Sequence, residues 1–115
     1  KELIDNLAAH NKEWGELTTQ IGMKAMQNPD EVGAAAVDYL YYAGYVTLAY
    51  FWAHMAVVAQ QKLAEGSTET AFYNAKITTA RFYFSKILPR AKAHVAIIAS
   101  GVSPLMALAA DDFII

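Results

Sequence analysis

The stretch that decides the fold runs from Asn28 to Gly66 and reads NPDEVGAAAVDYLYYAGYVTLAYFWAHMAVVAQQKLAEG. Asn28 predicts a helix cap, Pro29 suits the first helical position, and Glu31 stands three residues after the cap, as in a capping box. Gly66 predicts the left-handed residue that ends a helix. No proline interrupts the stretch after Pro29, so we expect one helix over residues 29–65, roughly 55 Å long at ~1.5 Å per residue.

This helix is apolar around its whole circumference. From Leu40 to Ala59 it carries no formal charge, and only Thr47 and His54 interrupt the apolar residues. A helix that is apolar on all sides is either buried by neighbours or lies in a membrane. Tyrosines in the middle of the segment and Asp38 beside it are unusual for a membrane span. We therefore expect the central helix of a bundle, with a membrane-spanning helix as the alternative.

Two more helices are predicted by apolar residues that recur at intervals of three, four and seven. The first covers residues 1–27, and the third covers residues 68–101 with Ser67 as its cap. Pro89 removes one backbone hydrogen bond inside the third helix, yet the apolar stripe keeps its phase across it, so we expect one kinked helix. A short fourth helix over residues 104–110 precedes an apolar tail, Phe113–Ile115. The predicted fold is an all-α antiparallel bundle of three long helices plus a short C-terminal helix.

Composition predicts a surface made for a protein partner. The 115 residues predict a single helical domain, 1–115, and the start at Lys1 inside a helical pattern leads us to expect a fragment of a longer chain. Hydrophobic residues make up 56% and charged residues 17%, which implies more apolar surface than a small monomer can bury. The absence of cysteine excludes disulfides and thiolate chemistry, and it fits the cytoplasmic location that we expect.

Charge is distributed unevenly along the chain. Residues 1–69 hold nine acids and four lysines, whereas residues 70–110 hold five bases and no acid. Either the acidic and basic helices lie side by side, or the basic helix faces an anion such as a phosphate group. Five bases spread over several turns of an acidic protein are a poor footprint for nucleic acid, so we predict no nucleic-acid partner.

No common catalytic pattern occurs in the chain. The three histidines lie on separate predicted helices, no glutamate stands in a Glu-x-x-His pair, and there is no glycine-rich phosphate loop. We therefore predict no catalytic, cofactor-binding or metal site, with a serine triad assembled only in space as the open alternative. The chain alone is not expected to be an enzyme.

A few residues are candidates for structural or binding roles. Asp38 is either a general base or the charge partner of a neighbouring helix or of tyrosine hydroxyls. We expect Arg81 to be its partner, and Lys76 is a further candidate for pairing. Aromatic residues are predicted to form a cluster, either as core and interface or as a ligand pocket with Arg81 near its mouth. This cluster comprises Tyr42, Tyr45, Trp52 and Phe82.

Several sequence blocks resemble a known family. They are AFYNAK at 71–76, TARFYF at 79–84, Leu88-Pro89, and Gly101 followed by LMAL at 105–108. These blocks resemble the extra C-terminal helical domain of one branch of flavin-dependent acyl-CoA dehydrogenases. That branch includes enzymes similar to 3-methylmercaptopropionyl-CoA dehydrogenase. The AVDYL block at 36–40, with Gly44 and Trp52-Ala53, resembles the central helix of the same domain.

The resemblance extends from Trp14 to Phe113 and implies a role without chemistry. It implies a parent flavoprotein of fatty acid metabolism that binds FAD and uses a glutamate base, both in an upstream dehydrogenase core. Nothing in this sequence corresponds to that core, so no catalytic or FAD-binding residue is implied here. The implied role is packing on the core of the same polypeptide and subunit assembly in a homo-oligomer. The alternative is a stand-alone bundle that binds an apolar or acyl-CoA-like ligand in an aromatic pocket.

Overall fold

A computed structural model describes residues 2–113. Its helices are α1 (Glu2–Gln27), α2 (Asp30–Ala64), α3 (Thr70–Phe82), α4 (Ala91–Ala99) and the short α5 (Ser103–Met106). A π-helical turn (Tyr83–Ile87) and a 3-10 turn (Leu88–Arg90) join α3 to α4, and a second 3-10 turn (Ala110–Asp112) follows α5. No strand occurs in this part of the chain, so the predicted all-α bundle is confirmed. The predicted positions of Lys1, Ile114 and Ile115 lie outside the described residues.

The start of α2 differs from the predicted capping box. The Asn28 side chain does accept a hydrogen bond from the Asp30 N–H, at 3.1 Å. Glu31 does not complete the box, because the Asn28 N–H already donates to the carbonyl of Lys24, the last turn of α1. Glu31 instead accepts the N–H of Val102 at 3.0 Å and ties the start of α2 to the loop after α4. The capping-box prediction was therefore wrong.

Proline shapes the third helical segment. Pro89 has no N–H to donate, and the backbone passes it through the π turn and the 3-10 turn. Helical conformation continues from Thr70 to Ala99, as the unbroken apolar stripe predicts. Gly101, with a φ of +73°, then ends α4, and Gly66, with a φ of +83°, ends α2, since a left-handed residue at these stops favours glycine.

Helix α2 is the centre of the molecule. α1, α3 and α4 all pack along it. The backbone extends over 69 × 33 × 15 Å along its principal axes, so the helices lie in a thin layer. Such a thin layer leaves one side of α2 without a neighbour from its own chain. The core lies on the opposite side and includes Leu7, Leu17, Tyr42, Val46, Ala49, Ala53, Leu88 and Ala91.

The membrane-spanning alternative for α2 is contradicted. Within residues 2–113, no helix combines the length and the apolar character that crossing a bilayer requires.

Candidate interaction surface

Helix α2 has two apolar faces that differ in side-chain size. The face toward α1, α3 and α4 is rich in alanine, with the buried residues Ala35, Tyr42, Val46, Ala49, Ala53, Ala56 and Ala59. The opposite face carries larger side chains, which expose between 52% and 71% of their surface. We call it the outer face of α2, and it comprises Val37, Leu40, Tyr41, Gly44, Leu48 and Phe51. These residues recur at intervals of three and four, which places them on one side of a helix.

The outer face carries no charged side chain, and its backbone is accessible at the centre. No Asp, Glu, Lys or Arg occurs from Tyr39 to Gln61. At Gly44, in the middle of the face, an added Cβ would meet no atom within 4 Å, so the backbone itself is open to an approaching surface. Contiguous apolar patches of this kind on soluble proteins mark sites of interaction.

A three-helix junction holds the inner face of α2 in place. The Tyr42 hydroxyl, on a fully buried side chain, donates to Glu13 on α1 at 2.7 Å and lies 3.1 Å from the carbonyl oxygen of His10. The other carboxylate oxygen of Glu13 accepts from Lys92 on α4 at 2.8 Å. Glu13 therefore links three helices through one carboxylate.

Electrostatics at this junction favour the charged form of Glu13. Partial burial raises the pKa of Glu13, but the hydrogen bonds from Lys92 and Tyr42, together with the positive charge of Lys92, leave the pKa below its ordinary value. Burial and the adjacent Glu13 carboxylate raise the pKa of Tyr42 far above its ordinary value, so its hydroxyl keeps its proton. The junction thus pairs a carboxylate with a neutral phenol and an ammonium group.

A second junction lies between α1 and α2, one turn nearer the start of α2. The Trp14 ring N–H donates to the Tyr39 hydroxyl at 3.0 Å, and the Thr18 hydroxyl lies 2.6 Å from the same oxygen. These polar groups lock the rotation of α2 relative to α1, because a different rotation would leave the indole N–H unpaired.

Asp38 pairs with His94 on α4, and the expected Asp38–Arg81 pair was wrong. The carboxylate lies 2.8 Å from His94 Nδ1, and the imidazole stacks on Tyr41 with 5.3 Å between ring centroids. Arg81 lies near Ala53, and the 15 residues from Asp38 to Ala53 cover about 22 Å of helix. The antiparallel register set by the turn at Gly66 therefore brings position 94, not position 81, level with Asp38.

The other predicted pairing residues are placed differently. Lys76 lies over the ring of Phe72 on its own helix, with its Nζ 5.2 Å from the centroid. Among residues 2–113, the contacts within 4.0 Å between a carboxylate and a basic side chain are Glu13 with Lys92 and Asp38 with His94, and neither Arg81 nor Lys76 makes one. Acidic and basic helices thus do lie side by side, as one of the two interpretations of the charge distribution expects, but through α4 rather than α3.

Three of the four residues predicted to form an aromatic cluster lie at the core, and Phe82 does not. Tyr42 is fully buried on the inner side of α2, whereas Phe82 is 55% exposed on α3, and Tyr45 and Trp52 are half-buried at the edge of the core. The buried aromatic residue at the end of α3 is Tyr83, whose hydroxyl donates to the carbonyl of Tyr45 at 2.6 Å. Burial raises the pKa of Tyr83 to about 12.

Sequence reasoning did not single out Tyr83, because the π turn shifts which residue faces α2. A signal was nonetheless available: Pro89 predicts a local irregularity in the preceding turn, and such an irregularity changes the phase of the residues within it.

A cleft lies between the start of α1, the second half of α2 and the end of α3. Its volume is about 410 Å³, and its walls include Ile4, Ala53, Val57, Arg81 and Phe84. None of Tyr42, Tyr45 and Trp52 lines this cleft, so it is not the pocket predicted around those residues. Arg81 does lie at the cleft, as the pocket interpretation expects for a base.

The fold and its surface define a class of protein: an all-α domain whose central helix is covered on one side only and which depends on polar junctions between helices for its geometry. The chain belongs to the acetyl-CoA dehydrogenase C-terminal-like family, whose sequence model matches residues 1–109. This match confirms the resemblance to the C-terminal domain of acyl-CoA dehydrogenases. None of the curated proteins compared with the chain is similar enough to count as a match.

Proposed function

We propose that this chain is a non-catalytic C-terminal domain of an acyl-CoA dehydrogenase-like flavoenzyme, of the branch similar to 3-methylmercaptopropionyl-CoA dehydrogenase. Its work is packing on the dehydrogenase core and subunit assembly, while FAD and the reacting thioester are held by the upstream core of the same polypeptide. Membership of the C-terminal-domain family supports this proposal at the level of the domain.

The observation that carries the proposal is the outer face of α2. Val37, Leu40, Tyr41, Leu48 and Phe51 each expose more than half of their surface on the longest helix of the fold. Leaving this much apolar surface in water is unfavourable by roughly 25 cal/mol per Å², so a protein surface that covers it gains stability. The polar junctions on the inner face hold α2 in one orientation and thereby present the outer face as a preformed surface.

The experiment compares the same substitution in the isolated chain and in the parent enzyme. Leu40→Lys, at a position 71% exposed, is expected to leave the melting temperature of the isolated chain unchanged within about 2 °C at a concentration low enough to keep the chain monomeric. In the parent enzyme the same lysine is expected to be buried without a partner, and to lower the melting temperature by several degrees or to split the assembly into smaller species.

Met26→Lys is the matched control, because Met26 is 88% exposed on α1 and away from the outer face. We expect it to change neither the chain nor the parent. A parent enzyme that keeps its melting temperature and its mass with Leu40→Lys would contradict the proposal.

A second candidate function is binding of an acyl-CoA-like ligand, and the cleft beside Arg81 favours it. Apolar walls from Val57 and Phe84 suit an acyl chain, and the Arg81 guanidinium suits a phosphate group. Glu2, also in the wall, opposes an anionic ligand.

Binding is tested by the thermal shift of the chain with a medium-chain acyl-CoA. Under this hypothesis stabilisation by several degrees disappears with Arg81→Ala but not with Lys86→Ala, a base on the adjacent turn. No shift with the unmodified chain would exclude this function.

A further inference from the structure

We propose that the outer face of α2 pairs with the outer face of α2 in a second copy of this chain, antiparallel, about a two-fold axis at Gly44. This inference rests on the proposed function, because it names the partner in the assembly that the function requires. The exposed side chains themselves are self-complementary about this axis.

The geometry follows from helix symmetry. In an antiparallel pair whose axis passes through residue 44, each residue lies opposite the one equally far on the other side of Gly44. Each pair then combines a small residue with a large one or two residues of the same size. The pairs are Gly44 with Gly44, Leu40 with Leu48, Val37 with Phe51, and Gly33 with Met55. Since Gly33 and Gly44 have no atom within 4 Å of an added Cβ, the backbones of the two helices can approach closely.

Polar groups border the face on both sides. Tyr41 and Thr47 lie about 60° to either side of Gly44 at 100° per residue, so they form its two edges. Both residues are exposed within their own chain. A polar rim around an apolar centre is the usual arrangement of a protein interface.

Charge decides the direction of the pair. Asp30 and Lys62, exposed at opposite ends of α2, lie on the same side of the helix as Gly44 at 100° per residue. The antiparallel arrangement puts Lys62 of one copy within about one helical turn, ~5.4 Å, of Asp30 in the other. A parallel pair would instead bring Asp30 against Asp30 and align the two helix dipoles, which is unfavourable.

The area is sufficient for a specific interface. With more than half of each large side chain exposed, the outer face presents on the order of 500 Å² per copy, and pairing buries on the order of 1,000 Å² in total. That is the lower bound for a stable interface, so we expect a dimer that dissociates on dilution. The dehydrogenase core is the competing occupant, and the experiment below separates the two.

The first measurement is the mass of the chain in solution, by sedimentation over a range of concentrations. We expect a discrete species of twice 12.6 kDa that dissociates at least tenfold more readily with Phe51→Lys. Phe82→Lys is the matched control, since Phe82 on α3 is 55% exposed and Phe51 is 53% exposed. The control is expected to remain a dimer, and circular dichroism checks that both variants stay helical.

The second measurement tests the register and uses the absence of cysteine from the chain. At an interaxial distance of ~9–10 Å, two Gly44 Cα atoms facing each other lie about 4.4–5.4 Å apart, within the reach of a disulfide. Under mild oxidation Gly44→Cys is expected to form a covalent dimer, as is Leu40→Cys mixed with Leu48→Cys. Met26→Cys, outside the face, is expected to stay monomeric on a denaturing gel.

The pairing would be overturned if the chain were monomeric at every concentration, or if Phe51→Lys left the dissociation of the dimer unchanged. A dimer in which Gly44→Cys fails to cross-link would overturn the register. If the chain is monomeric while Leu40→Lys still destabilises the parent enzyme, the core occupies the face, and the proposed function stands without this inference.

Discussion

The two faces of α2 are equally apolar but differ in how large their side chains are. The inner face is mostly alanine, and the larger residue at its centre, Tyr42, reaches across to α1. The outer face carries leucine, valine, tyrosine and phenylalanine in water. Small residues let α1, α3 and α4 approach α2 closely, whereas large residues gain the most when another protein covers them. The size of the side chains, rather than their hydrophobicity, thus distinguishes the two faces.

The largest effect on stability is expected when a buried side chain of the inner face is removed. Tyr42→Ala removes a side chain with no exposed surface and leaves a cavity, so we expect a loss of about 3–5 kcal/mol in the free energy of unfolding. Tyr50→Ala, at a position 53% exposed on the same helix, should lose less than about 1 kcal/mol. Urea denaturation of both variants measures the difference, and equal losses would mean that Tyr42 is not a core residue.

A smaller effect is expected when the inner face is overfilled. Ala53 is 1% exposed, and Ala53→Leu forces a larger side chain between α2 and its neighbours, which should lower the free energy of unfolding by about 1–3 kcal/mol. Ala36→Leu, at an exposed position of the same helix, serves as the control and should stay within about 0.5 kcal/mol. Chemical denaturation is again the measurement. If Ala53→Leu is neutral, then close approach does not explain the alanines.

The polar junction can be tested through pH. Glu13→Gln should lower the free energy of unfolding by about 1–2 kcal/mol near neutral pH, because Lys92 and Tyr42 lose a charged acceptor. The pKa of Glu13 is lowered in the folded chain, so its contribution is fully present above the ordinary value of 4.5 and is lost as pH falls through the folded value.

The difference between wild type and Glu13→Gln should therefore shrink in acid. Glu16→Gln, exposed on the same helix, is the control and should show no such trend. A pH-independent difference would mean that the charge of Glu13 has no part in stability.

The smallest effect is expected on the outer face. Leu48→Ala should change the free energy of unfolding of the monomer by no more than about 0.5 kcal/mol, because the side chain is 52% exposed in its own chain. The measurement needs a concentration low enough to dissociate any dimer. A loss near that of Tyr42→Ala would show that Leu48 contacts its own chain.

Helix ends were the most predictable part of the fold. Gly66 and Gly101 have the positive φ that their positions after apolar stripes predict, and Asn28 caps α2 through its side chain. These features depend on local backbone chemistry, which a short sequence contains completely. The capping box failed for a related reason: the N–H that Glu31 would have satisfied was already used by the end of α1.

Contacts between helices were much less predictable. We expected Asp38 to pair with Arg81, but it pairs with His94, another basic residue further along the chain. The difference arises because pairing depends on the register of two antiparallel helices. Counting residues outward from Gly66 in both directions would have placed His94 near Asp38. Phe82 was misplaced for a similar reason, since the rotation of α3 that leaves it exposed is set by other contacts.

By itself the sequence determined the all-α class, the glycine stops of α2 and α4 and the apolar excess, because propensity, capping and periodicity act within a few turns of chain. Only the tertiary structure decided which apolar side of α2 is covered. The whole circumference of that helix is apolar, so periodicity could not choose between its faces, and the close fit of alanines against α1, α3 and α4 made the choice. The large residues were thereby left facing outward, where a partner can reach them.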